Sequence, residues 1–231
     1  MWMQYPNIPE LYSVDDQYLI GSDLLVKPVT TAGATTSQVL FPQSDCWFDV
    51  DTMQRVGLAG ASGTYVAKTV ESGIDKIPVY QRGGSIIPRK LRLRRSSYLM
   101  INDPYTIYIA LNSDLKAEGT LYMDDETTFD HEKKDEYGIA TFSSDLNSSI
   151  VIQNTVKLGD ISALQESKDG RMIERIVVMG MVSEPKKIIL TPLGSTEEIP
   201  IEFQYDEESK ILVIRRPGVT ALDEWAMRLA P

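Results

Sequence analysis

The sequence predicts an all-β chain built from two consecutive β-sandwich domains. Short apolar or alternating runs recur between turn residues roughly every eight to twelve positions, the spacing expected of strands in sandwiches. β-Branched and aromatic residues dominate these runs, as in "YTIYIAL" (Tyr105–Leu111) and "KILVIR" (Lys210–Arg215), and suit a pleated, half-buried surface. Around "RKLRLRRSS" (89–97) a proline-punctuated series gives way to a more regular one, which marks a boundary. The expected domains are therefore 18–95 and 96–231, with residues 1–17 outside both.

The first predicted element is a short helix. Ser13 with Asp16 three residues on fits a capping box, and Gly21 after "VDDQYLI" fits a C-cap. Strands follow at Leu24–Val29, Gln38–Phe41, Cys46–Val50 and Thr64–Val70. Lys76–Tyr80 and Ser85–Pro88 flank "QRGG", whose paired glycines suit a tight turn or bulge rather than a phosphate cradle, because a strand and not a helix comes next. The second series is Tyr105–Leu111, Thr120–Met123, Ile139–Ser143, Ile150–Leu158, Arg175–Val182, Lys187–Thr191, Ile199–Gln204 and Lys210–Arg215. The final run, Glu224–Leu229, has some helical propensity. A strand there buries Leu222, Trp225 and Met227 and closes the fold, so a strand is expected.

Composition narrows the function classes. With 42% hydrophobic and 24% charged residues over 231 positions, the chain can form a real core in each of two domains. A net charge of −10 repels phosphate-rich partners, so no nucleic-acid partner is expected. No run approaches 18 apolar residues, so no membrane span is expected, and "MWMQYPNIPE" lacks the features of a signal peptide. The single cysteine, Cys46, permits no intrachain disulfide and no cysteine metal cluster. Asn147-Ser148-Ser149 is a sequon, which makes Asn147 a candidate N-glycosylation acceptor.

The most conspicuous chemistry is "YMDDETTFDHEKKDE" (122–136), which sets Asp124, Asp125, Glu126 and Asp130 beside His131, the only histidine. A glycosidase pair needs two carboxyls facing each other across about 5 to 9.5 Å. Adjacent strand residues point to opposite faces, so Asp124 and Asp125 are poorly placed for that. A calcium loop of the EF-hand type needs glycine at its sixth position, where Phe129 stands, and His131 has no second nitrogen or sulfur ligand. The stretch reads better as a hairpin: Leu121–Met123 leads in, Asp and Thr side chains brace the turn, and a charged return follows. No metal or cofactor is implied. Along 89–95, Leu91 and Leu93 alternate with Arg92 and Arg94 as in a strand with one wet face, and the arginines are expected to pair with neighbouring acids. Trp2, Trp47 and Trp225 could stack on a sugar ring, but tryptophans in alternating strands are more often core. No Gly-x-Ser-x-Gly nucleophile motif occurs.

Two stretches resemble glycoside hydrolase family 31 α-glucosidases. "SVDDQYLIGSDLLVKPV" (13–29) is similar to the segment after the family's catalytic barrel, with matches at Gln17, Gly21, Leu24, Leu25, Val26, Pro28 and Val29. "DKIPVYQRGGSIIPR" (75–89) is similar to its Ile-Pro…Arg-Gly-Gly-Ser-Ile-Ile-Pro run, and Trp47-Phe48-Asp49 to its Trp-Tyr/Phe-Asp strand. Leu121 to Phe129 resembles a Leu-Tyr-x-Asp-Asp-Gly-x-Thr-Phe motif, with Glu126 where glycine is usual, which should alter the turn geometry. "MWMQYP", "RLRRSS" and "LDEWAMRL" are most similar to the catalytic α subunit of the endoplasmic-reticulum member that trims glucose from N-linked glycans.

The resemblance implies a C-terminal piece of a longer retaining enzyme: the end of a (β/α)8 barrel's last strand and helix at 1–17, a proximal β-sandwich at 18–95 and a distal one at 96–231. It also implies that no catalytic residue lies in this chain. The family's catalytic aspartates sit in Trp-x-Asp-Met-Asn-Glu and Gly-Asp-Asn motifs of the barrel, and neither motif occurs here. The implied partners are the N-terminal and barrel portion of the same α subunit, a separate β subunit, and a glucosylated N-glycan held by the barrel, all in the endoplasmic reticulum lumen. Two competitors stand beside this: a free-standing carbohydrate-binding module, and a catalytic fragment that uses Asp124 or Asp125.

Overall fold

A computed structural model describes residues 1–57, 63–148, 152–158, 164 and 171–230. The chain divides into two compact units, 1–85 with 112–114, and 86–111 with 115–231. The division at Ser85/Ile86 places the whole basic stretch in the second unit.

In the first unit, β1 (Tyr18–Ile20), β2 (Leu24–Val26), β3 (Thr36–Pro42), β4 (Trp47–Asp49), β5 (Arg55–Gly57), β6 (Tyr65–Glu71) and β7 (Val79–Arg82) form two sheets. One has the order β1-β2-β7-β4-β5 and the other is the β3-β6 pair. Leu25, Val39, Phe41, Trp47 and Tyr80 make the core, joined by Tyr5, Ile8 and Leu11. Phe41 meets Tyr80 edge-on at 4.8 Å, the geometry aromatic quadrupoles favour. Residues 1–17 thus supply core side chains to this unit. The strand and helix implied for them are represented among the described residues by one 3-10 turn, Pro9–Leu11.

The helix expected from Ser13 to Gly21 does not form. "YLI" instead pairs with "LLV" as the β1–β2 hairpin, Leu19 opposite Leu25, and Gly21 takes the left-handed φ of +61° in the turn rather than at a C-cap. A helix that short gains few hydrogen bonds for its nucleation cost, whereas the hairpin joins a larger sheet at once. Gln17 holds the approach to it: its side-chain amide donates to the Leu40 carbonyl at 2.8 Å and accepts the Leu40 N–H at 2.9 Å, as a neighbouring strand would. Asp49 closes the Trp47-Phe48-Asp49 strand by accepting the N–H groups of Asp51 and Thr52.

Gly83 and Gly84, the latter at φ +94°, carry the chain from β7 into β8 (Ser85–Arg89), as expected of the paired glycines. After β8 come β9 (Tyr105–Ala110), β10 (Lys116–Met123), α1 (Asp130–Lys133), β11 (Gly138–Asp145), β12 (Ile152–Leu158), β13 (Ile173–Met179) and β14 (Lys187–Pro192). β15 (Ile199–Ile201), β16 (Phe203–Asp206), β17 (Ile211–Arg215) and β18 (Trp225–Ala230) complete the chain. These strands form one sheet, ordered β15-β14-β18-β12-β11-β10-β8-β9-β13-β17-β16. So wide a twisted sheet curls. β15 and β16 are its two edges, yet only Glu202 separates them, so the edges meet and one sheet wraps both sides of a single core. The expected strand Ile199–Gln204 is therefore two strands that change partners at Glu202. β9, buried at every position, pairs in parallel with β13 in the interior of the sheet. The closing strand buries Trp225 and Met227, with Leu222 just before it.

Candidate functional site

The acidic stretch connects β10 to β11, which pair in register from Met123↔Gly138 to Lys116↔Asp145, so it is the connection of a hairpin. Its carboxylates are turned onto their own backbone. Asp125 Oδ1 accepts the N–H groups of Thr127 and Thr128 at 3.1 and 3.0 Å, and Oδ2 accepts both hydroxyls at 3.1 and 2.7 Å. Donors from Thr128, then from Thr127, hold the Asp125 carboxyl well below the usual carboxylate range. A group so held is a poor proton donor, and its lone pairs are spent. Asp124 Oδ1 accepts the Glu126 N–H at 2.8 Å, while its carbonyl accepts a 2.7 Å bond from the buried Arg171. Glu126, where the resemblance leads one to expect glycine, takes a left-handed φ of +57°.

His131 lies on α1, its Nδ1 3.7 Å from Asp124 Oδ2, beyond hydrogen-bond length. Its ring stands edge-on to Tyr122, and Tyr122 stacks on Tyr137 with centroids 5.8 Å apart. Among the described residues no three His, Cys, Asp or Glu side chains converge as a metal would require.

The basic stretch makes the ion pairs expected of it. Arg94 forms a two-point contact with the buried Asp103, at 2.7 and 3.0 Å, which draws the Asp103 carboxyl below its ordinary range. Arg92 reaches Glu174 at 3.4 Å, and Lys90 donates to the Ile101 carbonyl at 3.1 Å. The alternation of a strand with one wet face is absent, however: β8 ends at Arg89, and Leu91 and Leu93 are exposed together with Arg92 and Arg94. Trp47 and Trp225 are core, whereas Trp2 is exposed. Asn147 lies exposed in the turn after β11, its N–H bonded to Asp145 Oδ1, while Ser149 of its sequon lies outside the described residues.

The geometry defines a pair of β units whose most acidic loop is a braced turn. Residues 1–87 match the sequence profile of the glycosyl hydrolase family 31 C-terminal domain. It is 40% identical to neutral alpha-glucosidase AB of Dictyostelium discoideum over 99% of this chain and 23% of that protein. A crystal structure of the glucosidase II alpha subunit with Tris bound superposes with a TM-score of 0.85 at 29% identity, over 100% of this chain and 25% of that one. The catalytic subunit in a heterodimeric complex of ER glucosidase II with the binding domain of its regulatory subunit gives 0.83 at 27%, with the same coverage. The chain thus spans about a quarter of the length of the proteins it matches.

Proposed function

We propose that this chain is the C-terminal scaffold of a retaining, glucosidase II-like α-glucosidase that trims α-linked glucose from N-linked glycans in the endoplasmic reticulum lumen. The observation that carries this is likeness over the whole chain to one quarter of such enzymes, with Asp124 and Asp125 of the 122–136 loop bracing a turn. The hydrolytic chemistry belongs to two aspartates on the barrel portion. One forms a glycosyl-enzyme while the other protonates the leaving oxygen, and water reverses the steps. The first unit supports a docking role, since Trp2, Met3, Tyr12, Tyr18 and Ile20 are all exposed on it. The partners in this reading are the upstream portion of the α subunit and, as in the heterodimeric relative, a regulatory β subunit. Asn147 is the proposed glycan acceptor.

Affinity capture of the tagged chain from its native cell tests this. A co-purifying polypeptide, or upstream sequence in the same one, should carry Trp-x-Asp-Met-Asn-Glu, and its absence would contradict the reading. The stacked Tyr122 and Tyr137 favour a second reading, a carbohydrate-binding module. Retention of the isolated chain on an α-glucan matrix, lost in Tyr122→Ala, would support that one instead.

A further inference from the structure

The second unit carries a groove of about 350 Å³, near the lower end of the size range of small-molecule sites, roughly 300–1,000 Å³. Three connections build it: Leu115 before β10, Leu146 and Ser148 after β11, and 181–185 between β13 and β14, with Leu229 and Ala230 of β18 beside them. Backbone bonds tie these pieces together. The Leu146 N–H donates to the Leu115 carbonyl at 3.1 Å, and the Lys186 N–H to the Ala230 carbonyl at 2.8 Å. Leu115 takes a left-handed φ of +60°, which a β-carbon disfavours, so the turn presents a leucine to the groove where glycine would fit with less strain. The lining is mainly apolar: Leu146 and Leu229 pack on the core, Met181 is buried, and Val182 is left 65% exposed. Ser148, Ser183 and Glu184 add polar groups. Among the described residues no cation lines the groove, which suits a neutral occupant over a phosphate-bearing one. Asn147 stands between two lining residues, Leu146 and Ser148, in an exposed turn closed by bonds from the Asn147 and Ser148 N–H groups to Asp145. The sequon thus begins at the rim of the groove.

We propose that an N-glycan on Asn147 folds back into this groove and covers Leu146 and Val182 with its first N-acetylglucosamine. This rests on the reading of Asn147 as a glycan acceptor. A pyranose ring offers an apolar C–H face and its N-acetyl group a methyl, both matched to the leucine and valine side chains. The ring hydroxyls and amide are matched to Ser183 and Glu184. The covalent link holds the sugar at an effective concentration on the order of millimolar, so a contact too weak to retain a free sugar is enough. A glycan at the rim also stands in the way of a protein partner, which decides between the two kinds of occupant. The apolar surface would then be covered without any second chain.

Peptide mass spectrometry of the full-length protein from its native cell first reads the occupancy of Asn147. Hydrogen exchange then compares the glycosylated protein with the Asn147→Gln variant. Should that variant not fold, glycoprotein deglycosylated enzymatically after folding takes its place. Exchange across 181–186 should be at least threefold slower with the glycan present, while the 193–196 turn on the β14–β15 connection stays unchanged. Val182→Asp, at an exposed position, should remove the difference while Asn147 remains occupied. An unoccupied Asn147 overturns the acceptor reading and this proposal with it, and leaves the scaffold reading standing. Occupancy with equal exchange in the two forms overturns the groove assignment alone, and exchange that is equally slow in both gives the groove to a protein occupant.

Discussion

Glu126 shows how much of the acidic loop was legible from single residues. Glu126 stands at a left-handed φ of +57° where the resemblance leads one to expect glycine. A side chain brings backbone strain to this region. Glu126→Gly should stabilise the second unit by about 0.5–1 kcal/mol. Its exposed 3.4 Å contact with Lys90 is worth little, and chemical denaturation measures the balance. The bracing role of Asp125 was legible because its partners lie two and three residues away. The inward turn of Arg94 was not, because it depends on the buried Asp103 across a loop. Both carboxyls are held below their ordinary range, so the stability they add is complete above the unfolded value near pH 4. As pH falls further the unfolded chain binds protons that the folded chain refuses. The thermal midpoint should be flat above about pH 5 and drop below about pH 4. Arg94→Ala should lower the plateau and make that acid drop shallower.

At the scale of elements, strands announced themselves wherever β-branched and aromatic residues clustered, and fell short where pairing decided. "YLI" carried a helix-like frame between Ser13 and Gly21, but the neighbouring "LLV" captured it as a hairpin. Ile199–Gln204 read as one strand because the backbone stays nearly extended throughout. That it leaves one sheet edge for the other at Glu202 is a property of the curled sheet. Gly119, inside β10, drew no notice in the sequence. A Cβ there would lie 2.0 Å from the Ile86 carbonyl oxygen, so β10 and β8 approach as only glycine allows. Gly119→Ala should cost about 1–3 kcal/mol or more by forcing the two strands apart. Hydrogen exchange should show the loss concentrated in β8 and β10, whereas the exposed turn glycine Gly194 should tolerate alanine far better.

For the whole molecule, the all-β class was legible from periodicity, and the family resemblance from motifs whose residues here make structural contacts. Gln17 knits the chain to Leu40, Asp49 closes a turn, and the Gly-Gly pair leads from one unit into the next. In the proposed function the chain supports catalysis without performing it. Turnover of a chromogenic α-glucoside tests this most directly, with the chain alone, the upstream portion alone, and the two together. The account predicts no turnover from the chain alone and full activity only when both are present. Turnover by the chain alone that Asp125→Asn abolishes would contradict it.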